Sequence, residues 1–348
     1  MFNALSNAGA ESANYPFCTI DPNVGVVPVP DDRLDRLAEL AGSAKVVPTT
    51  IEFVDIAGLV AGASKGEGLG NQFLGHIREV DAIVHVVRCF EDENVVHVAG
   101  SVDPARDIDI IETELLLKDL ESVEKRIERT GKAAKSGDKK VKAELAFYKR
   151  LRDHIGEGRP VRAFEIHGDD EAAWLQSLFL LSTKPVLYVA NVSEDDLPGG
   201  NAYVDVIREI AAKEGARVVV VSADLEAQIA ELDPEERADF LAAAGLERSG
   251  LERLIRAAYD LLGLITFFTV GPKEARAWTI RRGTKAPAAA GEIHTDFERG
   301  FIRAETIKFT DYERYGTEAK AREAGAMRSE GKEYVVEDGD VLLFRFNV

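Results

Sequence analysis

The chain of 348 residues is 45% hydrophobic and 30% charged, the balance of a globular protein long enough for two or three domains. Its longest apolar runs, such as "VVVV" at 218–221, fall far short of the ~18 residues of a membrane span, and "MFNALSNAGAES" has neither the basic nor the apolar region of a signal peptide. Two cysteines without C-x-x-C spacing, Cys18 and Cys89, exclude a disulfide framework or structural zinc and fit a reducing, cytoplasmic setting, while the net charge of −18 argues against nucleic acid everywhere except one segment.

In chain order, "GVVPVP" (25–30) carries two prolines and is expected at or beside a sheet edge. "IEFVDIA" (51–57), "AIVHVVRCF" (82–90), "KPVLYVANV" (184–192) and "ARVVVVSA" (216–223) are near-continuous apolar, β-branched runs. Such runs predict parallel strands buried on both faces, with helices packed either side. Between the second and third lies an insertion, roughly 105–180. Its residues 111, 115, 116, 120, 123 and 127 are apolar at helical spacing. "KSGD" (135–138) then breaks the pattern and "KKVKAELAFYKRLRDHI" resumes it, which predicts two helices joined by a polar turn. This hairpin contains the exceptional segment: residues 125–152 hold eleven Lys/Arg against three Asp/Glu, a net +8 that leaves −26 on the rest. That charge is either a polyanion-binding arm or a solvated helical face laced with i,i+4 pairs. "SGLERLIRAAYDLLGL" (249–264) predicts a helix. Beyond it, "ITFFTVG", "ARAWTI", "GFIRAETI" and "EYVVEDGDVLLFRFNV" predict a separate small α+β domain with a hairpin at Asp338–Gly339.

The chemistry concentrates at "FVDIAGLVAGASKGEGLGNQF" (53–73). A strand ends in Asp55, D-x-x-G runs to Gly58, and glycines follow at 62, 66, 68 and 70. A dinucleotide fingerprint would put its glycines at once after the strand, so that reading is set aside. As a phosphate-sensing switch the pieces fit. Asp55 would hold Mg²⁺ through a water, and the Gly58 N–H would meet a γ-phosphate. The run 184–192 leads into "NVSED". Guanine-specific enzymes carry N-K-x-D there, whereas this chain has Asn191, Val192, Ser193 and Glu194. With the lysine gone and the carboxylate one methylene farther out, guanine preference is expected to relax. Ser222 and Ala223, in "VSAD" after the next strand, would add backbone contacts to the base.

"NYPFCTIDPNVGVVPVPDDRLDRLAEL", "FVDIAGLVAGASKGEGLGNQFLGHIRE", "HVVRCFED", "NVSED" and "AGEIHTDFERGFIRAETI" together resemble the YchF (Obg-like ATPase) subfamily of the translation-factor-related P-loop NTPases, from Met1 to Val348. The resemblance implies an α/β Ras-like nucleotide domain (1–110 and 181–262), an inserted helical coiled coil (111–180) and a C-terminal TGS domain of ubiquitin-like α+β shape (263–348). It further implies Mg²⁺-dependent hydrolysis of ATP over GTP by a monomer. Its ribosomal partners would be the large subunit and its RNA, reached through residues 125–152 and the TGS domain. Residue by residue, Thr19 matches the switch threonine on Mg²⁺, and Val192 lies where the family's backbone meets adenine. Leu59 stands where Ras-like enzymes place a water-orienting glutamine and has no donor or acceptor. His97 matches a histidine proposed for that role.

One departure is large. No G-x-x-x-x-G-K-[ST] cradle occurs in the 348 residues, and Met1 stands where the resemblance would place a leucine following that cradle. The first strand and the phosphate-binding loop would then lie before residue 1, either because the start is assigned too far downstream or because they are lost. In the second case the chain would be a non-catalytic ribosome- or RNA-binding adaptor. Cys18, beside Thr19, is either a redox switch or a small buried residue.

Overall fold

The structure is a computed structural model and describes residues 1–6, 23–56, 62, 69–97 and 99–347. In chain order its elements are α1 (Phe2–Ser6), β1 (Asn23–Pro28), α2 (Asp32–Ala41), β2 (Val46–Val47), β3 (Thr50–Asp55), α3 (Leu69–Glu79), β4 (Ile83–Arg88), α4 (Pro104–Ala133), α5 (Lys139–Gly156), α6 (Asp169–Gln176), β5 (Val186–Asn191), α7 (Ala202–Glu214), β6 (Arg217–Val221), α8 (Ala223–Glu231), α9 (Pro234–Ala243) and α10 (Gly250–Leu261). Then come β7 (Leu264–Val270), β8 (Ala275–Arg281), α11 (Ala286–Ile293), α12 (Thr295–Arg299), β9 (Phe301–Lys308), α13 (Phe309–Tyr315), α14 (Glu318–Glu323), β10 (Arg328–Glu330) and β11 (Asp340–Phe346). They form two compact units, Met1–Gly25 with Phe53–Leu251, and Val26–Glu52 with Glu252–Val348.

In the first unit β4, β5 and β6 form a parallel sheet in that order. Val186 to Ala190 of β5 are all buried, as a strand covered on both faces requires. β4 has the same apolar composition, yet only Val87 is fully buried and Val86 is 48% exposed. β1 and β3 pair with each other in a separate two-stranded sheet, and no strand joins β3 to β4 among the described residues. Helix α7 packs Val204, Ile207 and Ala211 against Tyr188, Val192 and Cys89. Burial pushes the Cys89 thiol up to about 12, so it stays protonated and inert.

The inserted hairpin forms where its spacing predicts. Asp103 caps α4 by accepting from the Arg106 N–H, with Pro104 at the first helical position. The "KSGD" break is a short 3₁₀ turn ending at Gly137, φ 89°, where only glycine is unstrained. Asp138 then accepts from Lys140 and Val141 N–H to start α5. Leu116 and Val123 of α4 meet Phe147, Tyr148 and Leu151 of α5 in one core.

The second unit is a six-stranded mixed sheet in the order β10–β9–β11–β7–β8–β2. Helix α2 is built into it. Asp31 caps its start and Gly42, φ 60°, ends it. Leu34 and Leu37 pack on Phe268, Ala275, Ile307 and Val341, while β2 adds parallel to β8. The Asp338–Gly339 turn differs from the expected hairpin. β11 pairs antiparallel with β9 and parallel with β7, and the segment before the turn contributes only an isolated bridge, Val335 to Lys285. Long-range partners override local turn chemistry here. The Asp338 carboxylate accepts from Arg33 Nη1 at 2.7 Å and from the Thr266 N–H at 2.9 Å.

Candidate functional site

Two strand ends build the best-defined part of the site. Asn191 closes β5, and its Oδ1 accepts from the Ala223 N–H at 2.9 Å. The Val192 N–H donates to Val221 O at 2.9 Å. Ser222, 1% exposed, caps α8. The structure therefore brings Asn191, Val192, Ser222 and Ala223 together as one pair of crosslinked loops. The Val192 side chain is buried in the sheet core, so this residue can offer a ligand only its main chain. Glu194 opens a 3₁₀ turn, Glu194–Asp196, with its carboxylate exposed. That turn is fixed from behind, where Asp196 Oδ2 accepts from Ser193 Oγ at 2.8 Å and Asn201 Nδ2 at 2.7 Å. Asn201 Nδ2 also donates to Cys89 O at 2.8 Å, which ties the loop to the end of β4. Asp196 and Asn201 carry no motif signal and were not legible as site supports.

Asp55 ends β3 and is exposed. Thr19, Gly58 and Leu59 lie outside the described residues, as does Cys18. Of the glycine-rich loop, Gly62 is described; its N–H donates to Glu114 Oε1 of α4 at 2.6 Å. Glu114 is a 5%-exposed acid in the apolar stripe of that helix. It joins the loop after D-x-x-G to the inserted hairpin, and an acid interrupting "ETELLL" was its only sequence signal.

His97 sits on the loop after β4, which Arg88 staples by donating to Phe90 O, Val95 O and Asp92 O. Its Nδ1 accepts from the Ala99 N–H at 3.1 Å. The ring proton of the neutral imidazole is therefore on Nε2, which donates to Asp107 Oδ2 at 2.8 Å. Both ring nitrogens are thus engaged by protein, and none of Asp55, Asn191 or Ser222 is among their partners. Within β4, burial and the Arg162 charge push His85 down to about 4, against an opposing pull from Asp107; it is neutral at physiological pH.

Among the described residues no group of three or more His, Cys, Asp or Glu is arranged to hold a metal ion. The exposed carboxylate of Asp55 at the end of β3 still fits Mg²⁺, which takes one or two carboxylates and completes its shell with water and phosphate oxygens.

Residues 1–128 match the family MMR_HSR1, described as 50S ribosome-binding GTPase. Residues 264–347 match YchF-GTPase_C, described as a protein of unknown function. The chain is 58% identical over 348 residues to the ribosome-binding ATPase YchF of Escherichia coli O157:H7, covering 100% of this chain and 95% of that one. It is 57% identical over 350 residues to the protein of that name in Bacillus subtilis (strain 168), with the same coverage. Its identity to Obg-like ATPase 1 of Pongo abelii is 46% over 351 residues, 99% of this chain and 88% of that one. The solved structure of the Schizosaccharomyces pombe YchF GTPase superposes with a TM-score of 0.85 at 40% identity, covering 99% and 93% of the two chains. The fold is accordingly the α/β P-loop GTPase type with added helices and a second mixed sheet, and the chain belongs to the YchF family.

Proposed function

We propose that the chain is a ribosome-associated ATPase that hydrolyses ATP in preference to GTP and works as a nucleotide-dependent switch. The base loop carries this reading. Asn191, crosslinked to Ala223, holds the two base-facing loops in register, as a purine pocket needs. The lysine and aspartate that would select guanine are Val192 and Glu194, the first with a buried side chain. Changing Val192→Lys and Glu194→Asp together should shift the ATP:GTP affinity ratio towards GTP by roughly 5- to 150-fold, the value of a good pair of polar contacts to a base edge. The lysine stem can fill the valine's place with its ammonium reaching out to water, and a melting curve run beside the binding assay checks that it does. A ratio that stays put places base selection elsewhere.

Asp55 and Thr19 would hold Mg²⁺, with the Gly58 N–H on the γ-phosphate. When bound, the ion neutralises charge developing on the phosphates. Leu59 cannot orient water, which leaves His97 as the candidate. Its Nε2–H is now spent on Asp107, so that role requires the Ala99–Asp107 clasp to open. A strand and a phosphate cradle outside these 348 residues complete the site in this reading. The separation of β3 from β4 and the half-exposed β4 support it.

Residues 1–110 and 181–262 are proposed as the nucleotide domain, 111–180 as the coiled coil and 263–348 as a TGS domain, in a cytoplasmic monomer. The ribosomal contact, with RNA of the large subunit, is assigned to residues 125–152. There Lys132 and Lys140 are paired with Glu128 and Asp170, whereas Lys135 and Lys139 are exposed and have no carboxylate partner among the described residues. Each phosphate contact adds about −0.9 on a duplex, less on single strands, to the slope of log affinity against log salt. Replacing Lys132, Lys135, Lys139 and Lys140 by glutamate should weaken co-sedimentation with ribosomes and flatten that slope. Unchanged binding across a salt series would remove the hairpin from the interface.

A further inference from the structure

Phe179 combines two features that proteins normally avoid. Its φ is +49°, the sole positive φ at a non-glycine position among the described residues, and its side chain is 67% exposed. It lies just past the end of α6, where the Phe179 N–H donates to Gln176 O at 3.4 Å. This left-handed stop after a helix is a position that glycine fills at no steric cost and a bulky side chain fills under strain. The turn itself is demanded by the next two residues, Leu180 and Leu181, which must reach the core and are 1% and 0% exposed. A glycine would serve that turn better, and it would not present an aromatic ring to water.

Two arginines grip the same loop by its carbonyls. Arg126 of α4 donates from Nη2 to Ser177 O at 3.4 Å, and Arg78, near the end of α3, donates from Nε to Phe179 O at 3.2 Å. Neither is paired with a carboxylate among the described residues; Arg126 also lies over the Tyr148 ring, 5.8 Å from its centroid. The carboxylate that faces Arg78 is the buried Asp119, whose oxygens are taken by Leu181 and Ser182. Arg126 also belongs to the +8 segment 125–152. We propose that Phe179 is a stacking platform for an unpaired RNA base, with the guanidinium groups of Arg78 and Arg126 on the flanking phosphates. An exposed ring beside guanidinium groups that no carboxylate neutralises among the described residues is the pairing by which single-stranded RNA is held, stacking on the base and charge on the backbone. A protein pocket would favour the ring but gain nothing from the two cations. The proposal rests on the ribosome-binding reading and gives that contact a residue. Because α3 begins directly after the glycine-rich loop, the platform is gripped by the helix that the D-x-x-G segment leads into.

The test measures the full chain against purified ribosomes by co-sedimentation and against a labelled ten-nucleotide adenosine RNA by anisotropy. Phe179→Ala should lower affinity for both by roughly 5- to 150-fold, as loss of one base–aromatic stack does. Phe179→Trp should keep affinity, and its added fluorescence should be quenched as RNA saturates. Phe179→Gly should bind as poorly as the alanine variant yet melt no lower than the parent, because glycine relieves the strained backbone. Wild-type affinity of Phe179→Ala for both probes overturns the platform, as does a glycine variant that melts well below the parent, since the ring would then be structural. Loss of ribosome binding with unchanged decamer binding also overturns it, in favour of a protein pocket. The four-lysine variant separates the two readings: if it loses binding while Phe179→Ala does not, the hairpin contact stands and the platform falls. If Phe179→Ala loses binding and the lysine variant does not, the platform stands without the hairpin's lysines.

Discussion

Calorimetry of the 348-residue chain with ATP and Mg²⁺ is expected to show no binding at millimolar nucleotide. The same chain extended at its N-terminus by a strand and a G-x-x-x-x-G-K-[ST] loop should bind tightly, a gain of at least a thousandfold or about 4 kcal/mol. The backbone amides and lysine of such a cradle make most of the contacts to the phosphates, and no such motif occurs in the sequence. Without it, the proposed base loop at 191–194 and Asp55 would have no anchored triphosphate between them. The sheet makes the same point independently. β4 is apolar enough for a central strand, but among the described residues it pairs only with β5 and leaves Val86 48% exposed. β3 likewise pairs only with β1 among the described residues. A strand between them would satisfy both open edges, whose unpaired backbone groups cost on the order of 1–3 kcal/mol each wherever water cannot replace a partner. A few such losses approach a domain's whole stability of ~5–15 kcal/mol, and open apolar edges invite aggregation. Poor soluble yield should therefore accompany the missing affinity, and the extension should restore yield, Mg²⁺-dependent binding and slow hydrolysis together. Tight ATP binding by the 348-residue chain would sink this account.

How far the sequence could be read depends on the range of the interactions involved. β5 and β6 were legible because burial on both faces writes an unbroken apolar run, and the hairpin because its stripe and the "KSGD" stop are both local. Helix α2 has equally local signals, an Asp31 cap and a Gly42 stop, but nothing local says where it packs. Its place beside Phe268 and Ala275, with β2 on β8, joins residues more than two hundred apart. The Asp338–Gly339 turn failed as a hairpin for the same reason, since Arg33 and Thr266 hold it from a distance. In the candidate site, Val192 and Glu194 stood out as departures from a known tetrapeptide whose first position, Asn191, is kept. Glu114 and Asp119 fall between apolar positions of the α4 stripe with no motif around them, and only their partners reveal them as buried acceptors. The roles of Thr19, Leu59 and His97 came from the resemblance alone, and periodicity says nothing of them.

Asp119 is where the largest single stability loss is expected. It lies in the middle of α4 with 0% exposure. One carboxylate oxygen accepts from the Leu181 N–H at 2.7 Å, and the other from the Ser182 N–H and Ser182 Oγ, each at 2.7 Å. Ser182 Oγ in turn accepts from the Val161 N–H at 3.1 Å, and Ser182 O accepts from the Arg162 N–H at 2.9 Å. One acid thus closes a buried network joining the inserted hairpin to the segment that leads into β5 and, through it, to Asn191. Asp119→Ala leaves three buried donors without an acceptor, at about 1–3 kcal/mol each, so a loss of roughly 3–9 kcal/mol is expected. Asp119→Asn keeps the shape but turns an amide NH₂ towards a backbone N–H, and should lose about half as much. Ser182→Ala removes one donor to Asp119 but leaves the single buried Val161 N–H without its acceptor, so it should cost about 1–3 kcal/mol and remain the mildest of the singles. The double variant Asp119→Ala/Ser182→Ala should then lose less than the sum of the singles by about 0.5–3 kcal/mol, the coupling of residues in one network. Urea titrations of the four chains give these differences as shifts in midpoint at constant slope. A loss below about 1 kcal/mol for Asp119→Ala would mean that water or a relaxed backbone replaces the carboxylate, and the buried network would not be what fastens the hairpin to the sheet.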